Sequence, residues 1–347
     1  GQHSVNLAAL RAVLATRGRL GFNSTLFLET SEEVGSPGLH SFARDHPELL
    51  AADLLIASDG PRLRPEQPTL FLGSRGAMNF TLRVDLRDGA HHSGNWGGLI
   101  ANAGTRLANA LAAIVSPRGE ILIDALKPEA IPPPVRQALA AVEVDGGSSG
   151  PAVEPEWGEP GLRPAERVFA WNTFEVLAFE AGNPSKVVNA IPPRATAWCQ
   201  IRFTVDRDPA TFLPAIRRHL DDAGFSDVAV GHDDDDVVMQ ASRLSPDHEW
   251  VRWAADSIEA TVGARPAVLP NLGGSLPNDV FADLLGLPTV WVPHSYASCS
   301  QHAPNEHVLA PIMREGLRIM TGLFWDLGLG DLPTGPVPPA VAAGPDH

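Results

Sequence analysis

Between residues 74 and 236 the hydrophobic pattern changes its period, and this change constrains the fold more than any other feature. Ahead of it, LLIA at 54–57 is an unbroken apolar run, the kind that fills a sheet covered on both faces. Within it, TLRVDLR at 81–87 and the stretches 173–180 and 194–205 alternate, as half-exposed antiparallel strands do. Helical spacing covers 99–115 and 209–223, and a short strand covers 226–230. Beyond it, helix 246–262, the pair Val268 and Leu269, helix 278–285, strand 289–292 and an amphipathic helix to 327 restore the buried character. A sheet wet on one face and a sheet covered on both are different layers, so one domain interrupts another. The expected division is 1–73 and 237–328 for an outer α/β domain and 74–236 for an inserted α+β domain. Residues 127–165 read as a long Pro/Gly/Ser/Glu-rich excursion, and 329–347 as a disordered Pro/Gly/Ala tail. At 347 residues the chain is long enough for two cores.

The outer domain opens with an amphipathic helix at 4–17 and a strand at 24–29, which runs into LFLETSEEVGSPG at 26–38. Ser36 is the expected N-cap of a helix over 38–45, with Pro37 at its first position. Glu32 and Glu33 therefore fall where a strand ends and a helix begins, the edge at which open α/β sheets bind ligands. Neighbours in extended backbone point opposite ways, so one glutamate can hold a cation while the other faces a water beside it. The competing reading is a solvated acidic turn. Asp59 ends the apolar run before a Gly-Pro turn, and reads either as a ligand or as a turn former. His302 lies in the polar loop 294–307. Carboxylates with an imidazole suit zinc or another borderline divalent ion, not calcium. Such an ion acidifies bound water, and Glu32 is placed to take its proton. His40, His46, His248, His294 and His307 are expected to face solvent.

A net charge of −15 disfavours nucleic acid and anionic membrane surfaces as partners. No apolar run approaches the length of a membrane span. Cys199 and Cys299 are too few and too distant for a disulfide scaffold, which makes a reducing, cytoplasmic setting the expectation.

Taken together and in order, SEEVGSPGL at 31–39, ASDGP at 57–61, SRGAMNFTLRV at 74–84, HHSGNWGG at 91–98, NAIPPRATAWCQIRF at 189–203, GGSLP at 273–277 and QHAPNEH at 301–307 form a recognisable set. The set resembles the zinc-dependent peptidase and deacylase family of carnosinase, glutamate carboxypeptidase, succinyl-diaminopimelate desuccinylase and aminoacylase. That resemblance implies a mixed-sheet, di-zinc aminopeptidase-like catalytic domain carrying an inserted ferredoxin-like lid and dimerisation domain. It also implies a homodimer, two zinc ions per complete subunit with cobalt or manganese as substitutes, and a small peptide or acyl-amino-acid substrate. Residue by residue, it makes Glu32 the general base, Glu33 and His302 ligands of one ion and Asp59 a ligand of the other. His92 becomes an oxyanion donor reaching the partner subunit's site. Arg202 and the Gly274-Ser275 turn hold the substrate carboxylate, with Asn189 a further polar contact. Arg202 also reads as an ordinary exposed strand residue.

The family's His-x-Asp motif and bridging aspartate lie ahead of its first helix, so the resemblance places them before Gly1. The 347 residues alone are then expected to be short of ligands and inactive. His232 and Asp234 spell His-x-Asp but sit at the wrong end of the chain, in an acidic run read as linker. The alternative function is a non-catalytic homologue or binding protein that has lost the metal. A third reading, thiol hydrolysis through Cys299, competes with its use as a packing residue.

Overall fold

The computed structural model describes residues 1–145, 150–232 and 238–333. The acidic run 233–236 and nearly all of the expected tail lie outside the described residues. The chain clusters into two compact units, Gly1–Arg75 with Pro132–Val153 and Ala241–His347, and Gly76–Ile131 with Glu154–Gln240. Of the excursion expected at 127–165, Pro132–Val153 belongs with the outer unit, where Arg64 Nη2 sits 2.8 Å from Asp145 Oδ2, and the remainder with the inserted one.

The outer unit is built on four short strands in the order Leu55–Ala57, Thr289–Trp291, Thr69–Phe71, Ala267–Leu269. The outer pairs run parallel, and the central pair is antiparallel at Trp291 and Phe71, so the sheet is mixed. Alternate residues of one strand serve opposite faces. Ile56 packs with Val5, Ala9, Val13, Ile258, Ile319, Met320 and Leu323, whereas Leu55 packs with Leu39, Ala43, Val280 and Phe281. The first group comes from helices Gln2–Arg17, Glu249–Val262 and Ala310–Leu327, whose apolar residues recur at helical spacing. No described helix is long and apolar enough to cross a membrane.

Three expectations for this unit fail. Residues 24–29 form no strand, because no described segment pairs with them; Leu26 and Leu28 stand exposed while Phe27 stacks on Phe42 at 5.8 Å. The N-cap of helix Leu39–Asp45 is Gly38, not Ser36, and no side chain caps it. Ser36 instead adopts φ 50° and donates its backbone N–H to Ser31 O at 3.0 Å, closing the acidic turn. The helix expected at 278–285 is a single π-helical turn, Val280–Leu284.

The inserted unit contains a four-stranded antiparallel sheet, ordered Val228–Gly231, Gly76–Asp85, Arg194–Phe203, Thr173–Ala181. Along the chain, helix Ala103–Ile114 lies between strands Gly76–Asp85 and Thr173–Ala181, and helix Phe212–Asp222 between Arg194–Phe203 and Val228–Gly231, which gives the βαββαβ order of the ferredoxin-like fold. Ala195, Ala197, Cys199, Ile201 and Phe203 are buried in strict alternation with half-exposed Thr196, Trp198, Gln200 and Arg202. The edge strand carries a bulge between Val176 and Ala178.

Candidate active site

The acidic centre is a tight turn rather than extended backbone. Glu32–Val34 form one turn of 3₁₀-helix closed by Gly35, whose N–H donates to Glu32 O at 2.9 Å and whose φ of 84° suits glycine. The two glutamates still diverge. Exposed Glu33 reaches His302, its Oε2 lying 2.9 Å from Nε2. Half-buried Glu32 is pushed up to about 7, first by burial, then by the negative charges of Asp59, Glu33 and Glu29, while His302 works in the opposite direction.

Asp59 follows strand Leu55–Ala57, and the loop bearing His302 follows the neighbouring parallel strand Thr289–Trp291. Parallel neighbours release their loops at the same edge, which explains the convergence. A second ladder then ties the loops together, with Ser295 paired to Pro61 and Tyr296 to Arg62. Burial raises the Asp59 carboxyl; its own neighbour Gly60 N–H, at 2.6 Å, partly offsets this, and Glu33 adds to it. His302 itself holds a left-handed φ of 58°. Sparsely populated backbone of this kind persists only where its surroundings enforce it.

The Gly274-Ser275 turn belongs to the same unit. Arg75 donates Nε and Nη2 to Gly273 O at 3.0 and 2.8 Å, and the Leu276 N–H donates to Ser74 Oγ at 3.1 Å, so the turn is clamped on both sides.

In the inserted unit, His92 and Asn189 come together. His91–His92 pair with Ala190–Ile191, and Ser93 donates its N–H to Asn189 O at 2.9 Å. Asn189 thus acts on the histidine turn through its backbone. His92 Nδ1 accepts from Gly94 N at 3.1 Å, which leaves the ring proton on Nε2, an exposed donor. Arg202 is on the half-exposed sheet face, where it donates Nε to Gln200 Oε1 at 2.8 Å; burial lowers its pKa. His232 uses Nδ1 on Asn79 O at 2.9 Å, while Asp234 lies outside the described residues.

The donor set fits a divalent cation in kind. Nitrogen and oxygen ligands about 2 Å from a tetrahedral ion sit about 3.3 Å apart, close to the Glu33–His302 spacing. The crowded carboxylates beside them carry excess negative charge that a cation removes. Even so, among the described residues no three His, Cys, Asp or Glu side chains form one group able to hold a metal ion.

Sequence reasoning missed what lies beneath Asp59. His294, expected in solvent, is fully buried, and its burial lowers its pKa to about 4 with help from Arg62. Its Nε2 lies 3.2 Å from Ser58 Oγ and 3.3 Å from Asn6 Oδ1, and its backbone N–H donates to Gln2 Oε1 at 2.6 Å. The only signal in the sequence was the adjacency of Ser58 to Asp59. Of the other histidines placed in solvent, His40 meets Asp279 at 2.7 Å, His248 caps helix Glu249–Val262, and His307 contacts Tyr296. Both cysteines are free and buried, and burial pushes the Cys199 thiol up to about 12. Cys299, at 2% exposure, is not presented to a substrate.

Residues 72–228 match the family model of a peptidase dimerisation domain. The cysteinylglycine-S-conjugate dipeptidase of Corynebacterium striatum is 28% identical over 227 residues, covering 63% of this chain and 48% of its own. The β-Ala-His dipeptidase of Homo sapiens is 23% identical, covering 92% of this chain and 66% of its own. The chain therefore spans about half the length of the first relative and about two thirds of the second. Among solved structures, an M20 family metallo-carboxypeptidase from Sulfolobus solfataricus shares the fold, with a TM-score of 0.74 at 23% identity, covering 95% of this chain and 76% of its own.

Proposed function

We propose, for a chain that belongs to the M20 family of metallopeptidases, that it carries out the hydrolysis of the amide bond of a dipeptide or N-acyl amino acid. The observation that carries this is the contact of Glu33 with His302 beside a Glu32 held up to about 7. In this reading Glu33 and His302 hold one zinc ion and Asp59 contributes to a second. The bound ions would supply an acidified water and a polarised carbonyl.

The chain's own groups do the rest. Glu32, with an affinity for protons near neutrality, takes a proton as a water oxygen adds to the carbonyl carbon. It then delivers that proton to the leaving amine nitrogen as the C–N bond breaks, so no net proton is left on the enzyme. His92 Nε2–H is a donor suited to the oxygen that becomes negative in the tetrahedral stage. The Arg202 guanidinium and the clamped Gly274-Ser275 turn suit the substrate carboxylate. A homodimer formed through the inserted unit and a reducing compartment complete the reading, the latter in keeping with two unpaired cysteines.

Glu32→Gln tests it in the protein that carries this chain. Hydrolysis of a dipeptide panel should fall about 10²- to 10⁴-fold while zinc uptake is retained. Unchanged turnover removes Glu32 from the chemistry.

One observation favours a second reading, a non-catalytic homologue that keeps the fold. Among the described residues no three-ligand metal group is formed. A zinc titration of the wild-type protein separates the two, since the second reading requires no stoichiometric uptake.

A further inference from the structure

We propose that Tyr296 and His307 form a clasp that positions His302, an inference that rests on the reading of His302 as a metal ligand. The Tyr296 hydroxyl and His307 Nε2 are 2.7 Å apart, and the rings meet edge to face with centroids separated by 5.8 Å. The direction of the bond follows from the other ring nitrogen. His307 Nδ1 lies 3.0 Å from Asn305 O, and a carbonyl can only accept, so Nδ1 carries the hydrogen. In the neutral ring Nε2 is then the acceptor, and Tyr296 donates to it.

The clasp closes the base of the loop on which His302 stands. Inside that loop, Ser300, His302 and Asn305 all hold positive φ, at 62°, 58° and 67°, conformations that non-glycine residues leave when released. Backbone bonds span it as well: His307 N–H to Cys299 O at 3.0 Å, Cys299 N–H to Tyr296 O at 3.1 Å and Ala303 N–H to Ser300 O at 2.9 Å. Tyr296 is paired with Arg62 in the ladder that continues directly from Asp59. One residue therefore belongs both to the ladder that follows Asp59 and to the closure of the loop that bears His302. This makes Tyr296 and His307 positioning residues, which act through His302 and do not touch substrate. Groups that orient a ligand in this way govern metal affinity by about 10- to 100-fold.

The test uses wild type, Tyr296→Phe, His307→Leu, His307→Gln and His302→Ala. Amide hydrogen exchange is followed in metal-free protein, and zinc affinity is measured by competition with a chromophoric chelator. Tyr296→Phe keeps the ring contact and loses only the donor, so it should speed exchange at Cys299, Ala303 and His307 and weaken zinc binding about tenfold. His307→Leu should do the same, and His307→Gln, which retains an acceptor, should recover most of the loss. His302→Ala marks the affinity of the protein without the ligand. Zinc binding and exchange that are equal in wild type and Tyr296→Phe overturn the clasp alone. Wild-type zinc binding that is absent, or unchanged in His302→Ala, overturns the ligand reading on which the clasp depends.

Discussion

Both units contain a sheet four strands wide, but the two sheets are held by different means. In the inserted unit, Gly76–Asp85 and Arg194–Phe203 pair over ten residues each, with every register position filled. In the outer unit the strands are three residues long, and the covering helices run to 16, 14 and 18 residues. The first sheet is specified by its backbone ladder and its alternation. The second is specified by side chains packed between helices and strands. The contrast teaches where chemistry can be placed. A long ladder commits its residues to pairing, whereas strands that stop after three residues release Asp59 and the His302 loop at one edge.

The largest effect that sharpens this contrast is expected in the inserted sheet. Phe80, 1% exposed and edge-on to Phe174 at 5.8 Å, has no room for compensation, and Phe80→Ala should cost about 3–5 kcal/mol in urea unfolding. A cost below about 1 kcal/mol would place the unit's stability outside its sheet–helix core.

Next is the pH dependence of the outer unit. His294 is neutral when folded, with its pKa lowered to about 4 from 6.5. The unfolded chain therefore binds the proton first. Stability is whole above about 6.5, declines as pH falls towards about 4, and is flat below, a loss of up to about 3 kcal/mol. His294→Gln should flatten the slope across that window, and an equal slope in the variant would assign it to other groups.

A smaller loss is expected from Gly316→Ala. A Cβ there would meet His294 Nδ1 at 2.5 Å, so the helix or the ring must shift, at about 1–3 kcal/mol. The smallest effect belongs to Leu177→Thr, at the exposed bulge of the edge strand, which should change stability by no more than about 0.5 kcal/mol.

The same contrast explains what could be read from the sequence. Alternation at 81–87 and 194–205 pointed to the strands Gly76–Asp85 and Arg194–Phe203, missing the first half of the former, because alternation is a local signal; the long helices were legible because their spacing is. The failed strand at 24–29 looked right locally, but a strand requires a partner, and pairing is not written in the segment itself. Thr69–Phe71 went unnoticed because all three residues are buried and the run is too short to show a period. Ser36 had the chemistry of a cap and was diverted by the Ser31 carbonyl. Asp59 was legible as a group that follows a strand, and His302 as one on the loop beyond another, whereas Glu32 and Glu33 were expected at a strand end and sit instead in a turn that follows no described strand. His294 was not legible, because its burial depends on a glycine in a helix that follows it and on Gln2 and Asn6 far ahead.

Anomalous diffraction at the zinc edge from zinc-soaked crystals tests the central claim most directly. The account predicts a peak contacted by Glu33 and His302, with Asp59 and Glu32 facing it. A peak at another cluster, such as His40 with Asp279, or no peak beside His302, would contradict it.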